Sequence, residues 1–147
     1  MPDLKDLYND LAVATLMEPH QITADAYSDY VDTQGYNGVL FVVQGDGNTA
    51  DATHYVTPKL YGYTGAAPQT GSGYSLCAAA EFQGSFGAIN DTNDHIAAVG
   101  LVQHLYRYYM ILFDETSTAD VEVSACALLS SRNQPAGDDT PTTGAVS

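Results

Sequence analysis

Residues 121–129 read VEVSACALL, an alternating stretch that decides the fold class. Every second residue of this stretch is apolar, while Glu122 and Ser124 stand on the opposite face. Because successive side chains of a strand point to opposite faces, this period of two predicts a strand that buries one face. We expect its hairpin partner to be the aromatic run at 105–113, with 114–120 as the connecting loop.

Two more extended segments lie between turn signals in the first half of the chain. Residues 39–43, VLFVV, are apolar on both faces, which predicts a central strand buried between layers. The turn sequence GDGN at 45–48 ends this strand. Residues 54–63 resume the extended pattern, and Pro58 predicts an edge position or a bulge there.

Shorter segments in the second half complete the predicted sheet structure. Residues 74–82 and 85–89 are candidate strands, with a helical turn as the alternative at the alanines 78–80. Residues 95–102 predict a short apolar strand. In total, roughly seven or eight short strands bounded by turns predict a single all-β domain of the sandwich or barrel type.

The two ends of the chain differ from this pattern. Residues 1–18 predict a short amphipathic helix or arm, because leucines recur there at helical spacing: Leu4, Leu7 and Leu11. A helix this short must pack on the domain or on a neighbouring subunit. The β-sandwich domain is then expected at 19–131. Residues 132–147 lack apolar periodicity and are expected to form a flexible tail.

The charge of the chain excludes several classes of partner. Its 18 acidic residues against 4 lysines and arginines give a formal net charge of −14. Nucleic acid is not expected as a partner, because a polyanion binder needs clustered cations. An anionic membrane surface is disfavoured for the same reason, and the acidic N-terminal segment lacks the apolar run of a signal peptide or membrane span. The acidity favours a basic or cation-bridged protein surface.

The polar residues form no recognisable catalytic motif. None of the 4 histidines stands in a nucleophile, zinc or phosphate-loop pattern, so we expect a protein that is not an enzyme and needs no cofactor. Asp46, Asn48 and Asp51 resemble the opening of a calcium loop. Thr57 stands where the closing glutamate would be, so a polar turn is the favoured interpretation and a bound loop cation the alternative.

Two cysteines occur in apolar runs, Cys77 and Cys126. A buried free thiol behaves as a small hydrophobic group, and this is the interpretation we favour for both. A disulfide stays open as the alternative, because it needs the two Cα atoms within about 7 Å.

Tyrosines and one arginine are the candidate binding residues. The tyrosines that could line a sugar-binding face, a protein interface or the ordinary rim of a sandwich core are Tyr36, Tyr55, Tyr61, Tyr63 and Tyr74. Arg107 stands in the aromatic run of a strongly acidic chain, which favours pairing with an internal carboxylate. Its alternative role is that of an interface anchor.

Four short stretches carry a resemblance to a known class of protein. They are DTQGY at 32–36, VLFVV at 39–43, LYRYY at 105–109 and VEVSA at 121–125. In size, acidity and strand layout over residues 4–132, the chain resembles small tailed-phage virion proteins. The resemblance implies a jelly-roll-like antiparallel β-sandwich on a capsid or its neck.

The function that this resemblance implies is non-enzymatic. It is a virion structural protein, assembled in the host cytoplasm, that binds and stabilises the capsid shell as a decoration or cement protein. The implied partners are the major capsid protein and neighbouring copies of the chain itself. The expected interface residues are Leu4, Leu7, Leu11, Tyr36, Tyr61, Tyr63 and Arg107. The alternatives are a carbohydrate- or receptor-binding module on the particle surface, a neck- or connector-associated protein, and a small hydrolase on an all-β scaffold.

Overall fold

The computed structural model describes most of the chain as β-strands. The described residues are 11–46, 53–66, 71–90, 95–117, 120–131 and 141–146. The helical segments within them are two 3-10 turns, Gly71–Gly73 and Ala79–Glu81. No helix in these ranges is long and apolar enough to cross a membrane.

Eleven strands are present in the described residues. In chain order they are β1 (Leu11–Ile22), β2 (Ala26–Tyr27), β3 (Tyr30–Asp32), β4 (Tyr36–Asp46), β5 (Tyr55–Tyr63), β6 (Ser75–Leu76), β7 (Phe82–Gly84), β8 (His95–Leu101), β9 (Tyr108–Thr116), β10 (Val121–Ser131) and β11 (Thr143–Gly144).

The strands form two antiparallel sheets. The β1 sheet has the order β1-β10-β4-β8-β7, and the β9 sheet has the order β11-β3-β9-β5-β6, with β2 also paired to β9. One apolar cluster joins the inner faces of both sheets, and the rings of Phe41 on β4 and Tyr109 on β9 lie 5.7 Å apart within it. The predicted all-β sandwich is therefore confirmed at the level of two packed antiparallel sheets.

The predicted burial of one face of β10 is confirmed, but the strand predicted to pair with β10 is wrong. Val121, Val123 and Leu129 are buried, whereas Glu122 is exposed. β10 pairs with β1 and β4, while β9 pairs with β5 in the other sheet. Alternation shows which face of a strand is buried and does not show which strand lies beside it.

The predicted N-terminal helix is wrong for residues 11–17. They lie in β1, where buried Ala12, Ala14 and Leu16 alternate with outward Val13 and Thr15. The β1–β10 ladder explains the difference: burying a strand face in the sandwich outweighs helical propensity in so short a segment. The sheet structure therefore begins before residue 19. Leu4 and Leu7 lie outside the described residues.

The predicted tail contributes a strand at its far end. Thr143 and Gly144 pair with Val31 and Tyr30, and the Asp32 N–H donates to the carbonyl of Thr142 at 2.8 Å. These residues belong to the β9 sheet rather than to a free arm. Residues 132–140 of the predicted tail lie outside the described part of the chain.

The central strand β4 is buried on one face only, contrary to the prediction from its apolar run. Val39, Phe41 and Val43 are buried, whereas Leu40 is 37% exposed and Val42 is half-buried on the outer side. The β1 sheet therefore carries apolar side chains on its outer surface.

The short predicted strands are only partly present. At 78–80 the helical alternative is correct, since Ala79–Glu81 forms a 3-10 turn. The strand predicted at 85–89 is reduced to a single residue, Ile89, which makes an isolated β-bridge to Val56. The prediction at 95–102 is confirmed by β8. Pro58 lies on β5 and is paired with β9 on one side. On its other side, the short β6 ends before it reaches the level of Pro58.

Candidate functional site

The outer surface of the β9 sheet carries a cluster of tyrosine rings. β5 buries Val56 and Leu60 in the core, so the alternate residues Tyr61 and Tyr63 face outward. Tyr63 stands opposite Tyr108 on β9. We call this surface the tyrosine face, made of Tyr27, Tyr30, Tyr61, Tyr63, Tyr74 and Tyr108.

Four of the six rings of the tyrosine face pack against one another in two pairs. Tyr30 meets Tyr108 edge to face, with centroids 5.4 Å apart, and Tyr63 lies 5.4 Å from Tyr74. Met110, opposite Tyr61, is fully buried although it lies outside the main core cluster. These four tyrosines therefore form a second apolar layer over Met110, and their packing holds the rings in place before any partner binds.

Arg107 lies at one end of this face and pairs with Asp32, as the sequence predicted. Its Nε and Nη2 donate to the two carboxylate oxygens at 3.0 and 2.8 Å. The guanidinium also lies 5.0 Å from the ring centroid of Tyr108. Partial burial raises the pKa of Asp32, but hydrogen bonds from Arg107 and the Gln34 N–H outweigh this, and the net pKa is lowered.

A second ion pair lies on the same sheet. Lys59 on β5 donates to Asp114 on β9. Hydrogen bonding to Asp114 raises the pKa of Lys59. Within the described ranges, Lys59 and Arg107 are the basic residues, and both are paired with carboxylates. Binding to the tyrosine face would therefore rely on rings and hydroxyls rather than on an unpaired cation.

One hydroxyl of the tyrosine face has no hydrogen-bond partner. The Oη atom of Tyr74 is buried and unpaired, and the residue is 8% exposed. Burial raises the pKa of this phenol well above its ordinary value. An unpaired buried hydroxyl costs roughly 1–3 kcal/mol, and this one has almost no accessible surface through which a bound molecule could reach it.

The structure brings some of the predicted interface residues together and separates others. Tyr61, Tyr63 and Arg107 share the tyrosine face. Tyr36 begins β4 in the other sheet and packs against the core, and Leu11 begins β1 in that same sheet. Sequence reasoning missed Tyr27, Tyr30 and Tyr108, because only the sheet pairing brings β2 and β3 beside β9, and β9 beside β5.

Other polar groups have structural partners or lie outside the described residues. Asp46 ends β4, whereas Asn48 and Asp51 are not described. In the described part of the chain, no group of three or more His, Cys, Asp and Glu side chains could hold a metal ion. Cys77 and Cys126 are both free thiols, but only Cys77 is buried as predicted, whereas Cys126 is half-buried on the outer side of β10.

Comparison with protein-family models, curated proteins and solved structures finds no match to this chain.

Proposed function

We propose that this protein is a non-enzymatic virion structural protein that binds and stabilises a capsid shell as a decoration or cement protein. The observation that carries the proposal is the nested order of strand pairing. β1 pairs with β10, β4 with β8 and β5 with β6, while β3 pairs with β9 between them. When the first strand of a chain pairs with the last, and the strands between them pair in the same nested order, the chain forms one long hairpin. Folding this hairpin over gives two packed sheets.

This nested order supports a jelly-roll-like sandwich. Jelly rolls are frequent in viral capsid and lectin domains, which favours a binding or structural role over catalysis. Because a fold alone does not establish a function, the proposal also needs a surface that can bind.

The tyrosine face is the surface that we propose for capsid binding. Tyrosine and arginine are enriched at the centres of protein interfaces, and Tyr27 at 40% and Leu76 at 57% exposure leave apolar area available. The net charge of −14 favours a capsid surface that is basic or bridged by cations around these rings.

The test mixes the purified chain with bare capsids and measures co-sedimentation and the thermal stability of the shell. We expect binding and a stabilised shell. Leu76→Glu, which puts a charge at the edge of the tyrosine face, should weaken binding. Val102→Glu adds the same charge at a 63% exposed side chain that follows β8 of the other sheet, outside the tyrosine face, and serves as the control. Absence of binding by the wild-type chain would refute the cement role.

The position on the particle is tested in the same experiment. Binding only to particles that contain a connector would indicate the neck-associated alternative.

A carbohydrate- or receptor-binding module is the second candidate, favoured by the outward tyrosine rings on β5 and the packing of Tyr63 against Tyr74. A glycan array probed with wild-type protein and Tyr61→Ala tests it. The matched control is Tyr55→Ala, on the same side of β5 and about 20 Å away at ~3.3 Å per residue. Glycan binding that is lost in the first variant and kept in the second would support this alternative.

A further inference from the structure

Strand β11 contacts the tyrosine face at two points. Gly144 stands opposite Tyr30 in the ladder with β3, and a Cβ atom built on this glycine would lie 2.6 Å from three atoms of the Tyr30 side chain. The Tyr30 ring therefore lies directly on the backbone of β11. At the second point, the Asp32 N–H donates to the carbonyl of Thr142, just before β11, at 2.8 Å.

Both contacts continue toward Tyr108. The Tyr30 ring meets the Tyr108 ring edge to face, with centroids 5.4 Å apart. Asp32 accepts hydrogen bonds from the guanidinium of Arg107 on both carboxylate oxygens, and this guanidinium lies 5.0 Å from the centroid of the Tyr108 ring. One β3 residue therefore contacts Tyr108 directly and another acts on it through Arg107, and β11 touches both of these β3 residues.

Strand β11 is itself weakly held. Its ladder with β3 is two residues long, and among the described residues no strand pairs with its other edge. Thr143 and Ala145 are exposed, whereas Pro141 is the buried residue of the described segment 141–146. A short edge strand that buries few apolar groups belongs to the least stable part of a fold, which can open while the core stays folded.

We propose that β11 is a strap: it opens by local unfolding while both sheets stay intact, and it must be closed for the tyrosine face to bind its capsid partner. Opening removes the surface on which the Tyr30 ring lies, so the ring gains freedom that a partner must remove again on binding. Molecules with an open strap therefore bind less tightly, although no residue of the face is lost. The second part of the proposal rests on the proposed capsid binding, whereas the first does not.

Amide hydrogen exchange of the full chain, without capsids, tests the opening. The Asp32 amide reports on the strap. The Ser28 amide is the matched control, because it donates to the carbonyl of Ile111 at 2.8 Å within the same sheet and belongs to a buried residue. After correction for intrinsic exchange rates, we expect the protection of Asp32 to be at least about 100-fold lower than that of Ser28.

Gly144→Pro opens the strap by removing a hydrogen bond. Hydrogen-bonded and non-bonded pairs alternate along an antiparallel ladder. The bond at Thr142 therefore makes Gly144 the next donor to β3 and turns the Thr143 N–H away from it. Because proline has no N–H, Gly144→Pro should open the strap, whereas Thr143→Pro, on the same strand, is the matched control and should leave it closed.

Three measurements compare these variants. We expect Gly144→Pro to remove the protection of the Asp32 amide and to shift the ring resonances of Tyr30 and Tyr108. Capsid binding should weaken about tenfold, the loss expected when roughly a tenth of the molecules keep the strap closed. Thr143→Pro should match the wild type in all three measurements.

Three outcomes would overturn the proposal. Equal protection of Asp32 and Ser28 in the wild type would show that β11 opens only with the whole domain. An Asp32 amide that stays protected in Gly144→Pro would show that other contacts hold β11. Full capsid affinity with an unprotected Asp32 amide would show that the face does not need the strap. If the wild type binds no capsids, the cement role fails, while the exchange rates still test the opening.

Discussion

Thr33 is a polar residue that the fold buries completely. Its hydroxyl donates to the carbonyl of Arg107 at 2.7 Å and lies 2.5 Å from Nε2 of His104. A hydroxyl carries one hydrogen, and the carbonyl takes it, so Nε2 of His104 must donate to the hydroxyl oxygen. These hydrogen bonds connect Thr33, in the turn before β4, to His104 and Arg107, in the segment before β9.

This contact predicts a pH dependence of stability. Partial burial lowers the pKa of His104 from its ordinary value of 6.5. The unfolded chain then binds the proton more readily, so the contribution to stability is complete above about pH 6.5 and is lost as the pH falls toward the folded pKa. Thermal unfolding from pH 7 to about pH 5 should show the melting temperature falling.

His104→Gln keeps an N–H donor for Thr33 and removes the titration. It should flatten this part of the melting-temperature profile, whereas His20→Gln, at an exposed position of β1, should leave the profile unchanged. An unaltered slope in His104→Gln would assign the pH dependence to other groups.

At the scale of elements, β5 depends on a close contact at Gly62. This glycine is opposite Tyr109, and a Cβ atom built on it would lie 2.2 Å from the ring of Tyr106. That ring packs edge to face on Tyr109 with centroids 5.8 Å apart. The close approach therefore allows Tyr106 to cover the end of the core.

Gly62→Ala should lower the free energy of unfolding by about 1–3 kcal/mol, because the added methyl group must displace the base of a packed ring. Denaturant unfolding measures the change. Gly100→Ala on β8 is the control, since the nearest atom to its added Cβ lies 3.6 Å away, an ordinary contact. Equal effects of the two substitutions would show that the Tyr106 packing is not the cause.

At the scale of the whole molecule, the acidic charge is compensated at only a few positions. Lys59 and Arg107 each neutralise one carboxylate, whereas the chain carries 18 acidic residues. Mutual repulsion among the other carboxylates opposes the compact state.

The melting temperature should therefore rise with sodium chloride and level off near physiological ionic strength, where the screening length is about 8 Å. Calorimetry at a low, fixed protein concentration isolates this effect from association. A melting temperature that falls with salt would mean that the two ion pairs outweigh the repulsion.

The sequence by itself determined the positions of several strands, among them β4, β8 and β10, and the buried face of β10, because a period of two in side-chain polarity reports directly on which face leaves water. It also predicted the pairing of Arg107, since an arginine among so many acids finds a carboxylate. Only the tertiary structure decided that residues 11–17 form a strand, that β10 lies beside β1 and β4, and that Tyr27, Tyr30 and Tyr108 join Tyr61 and Tyr63 on one surface. Those outcomes depend on which strands become neighbours, and contacts between residues far apart in the chain are absent from any local pattern.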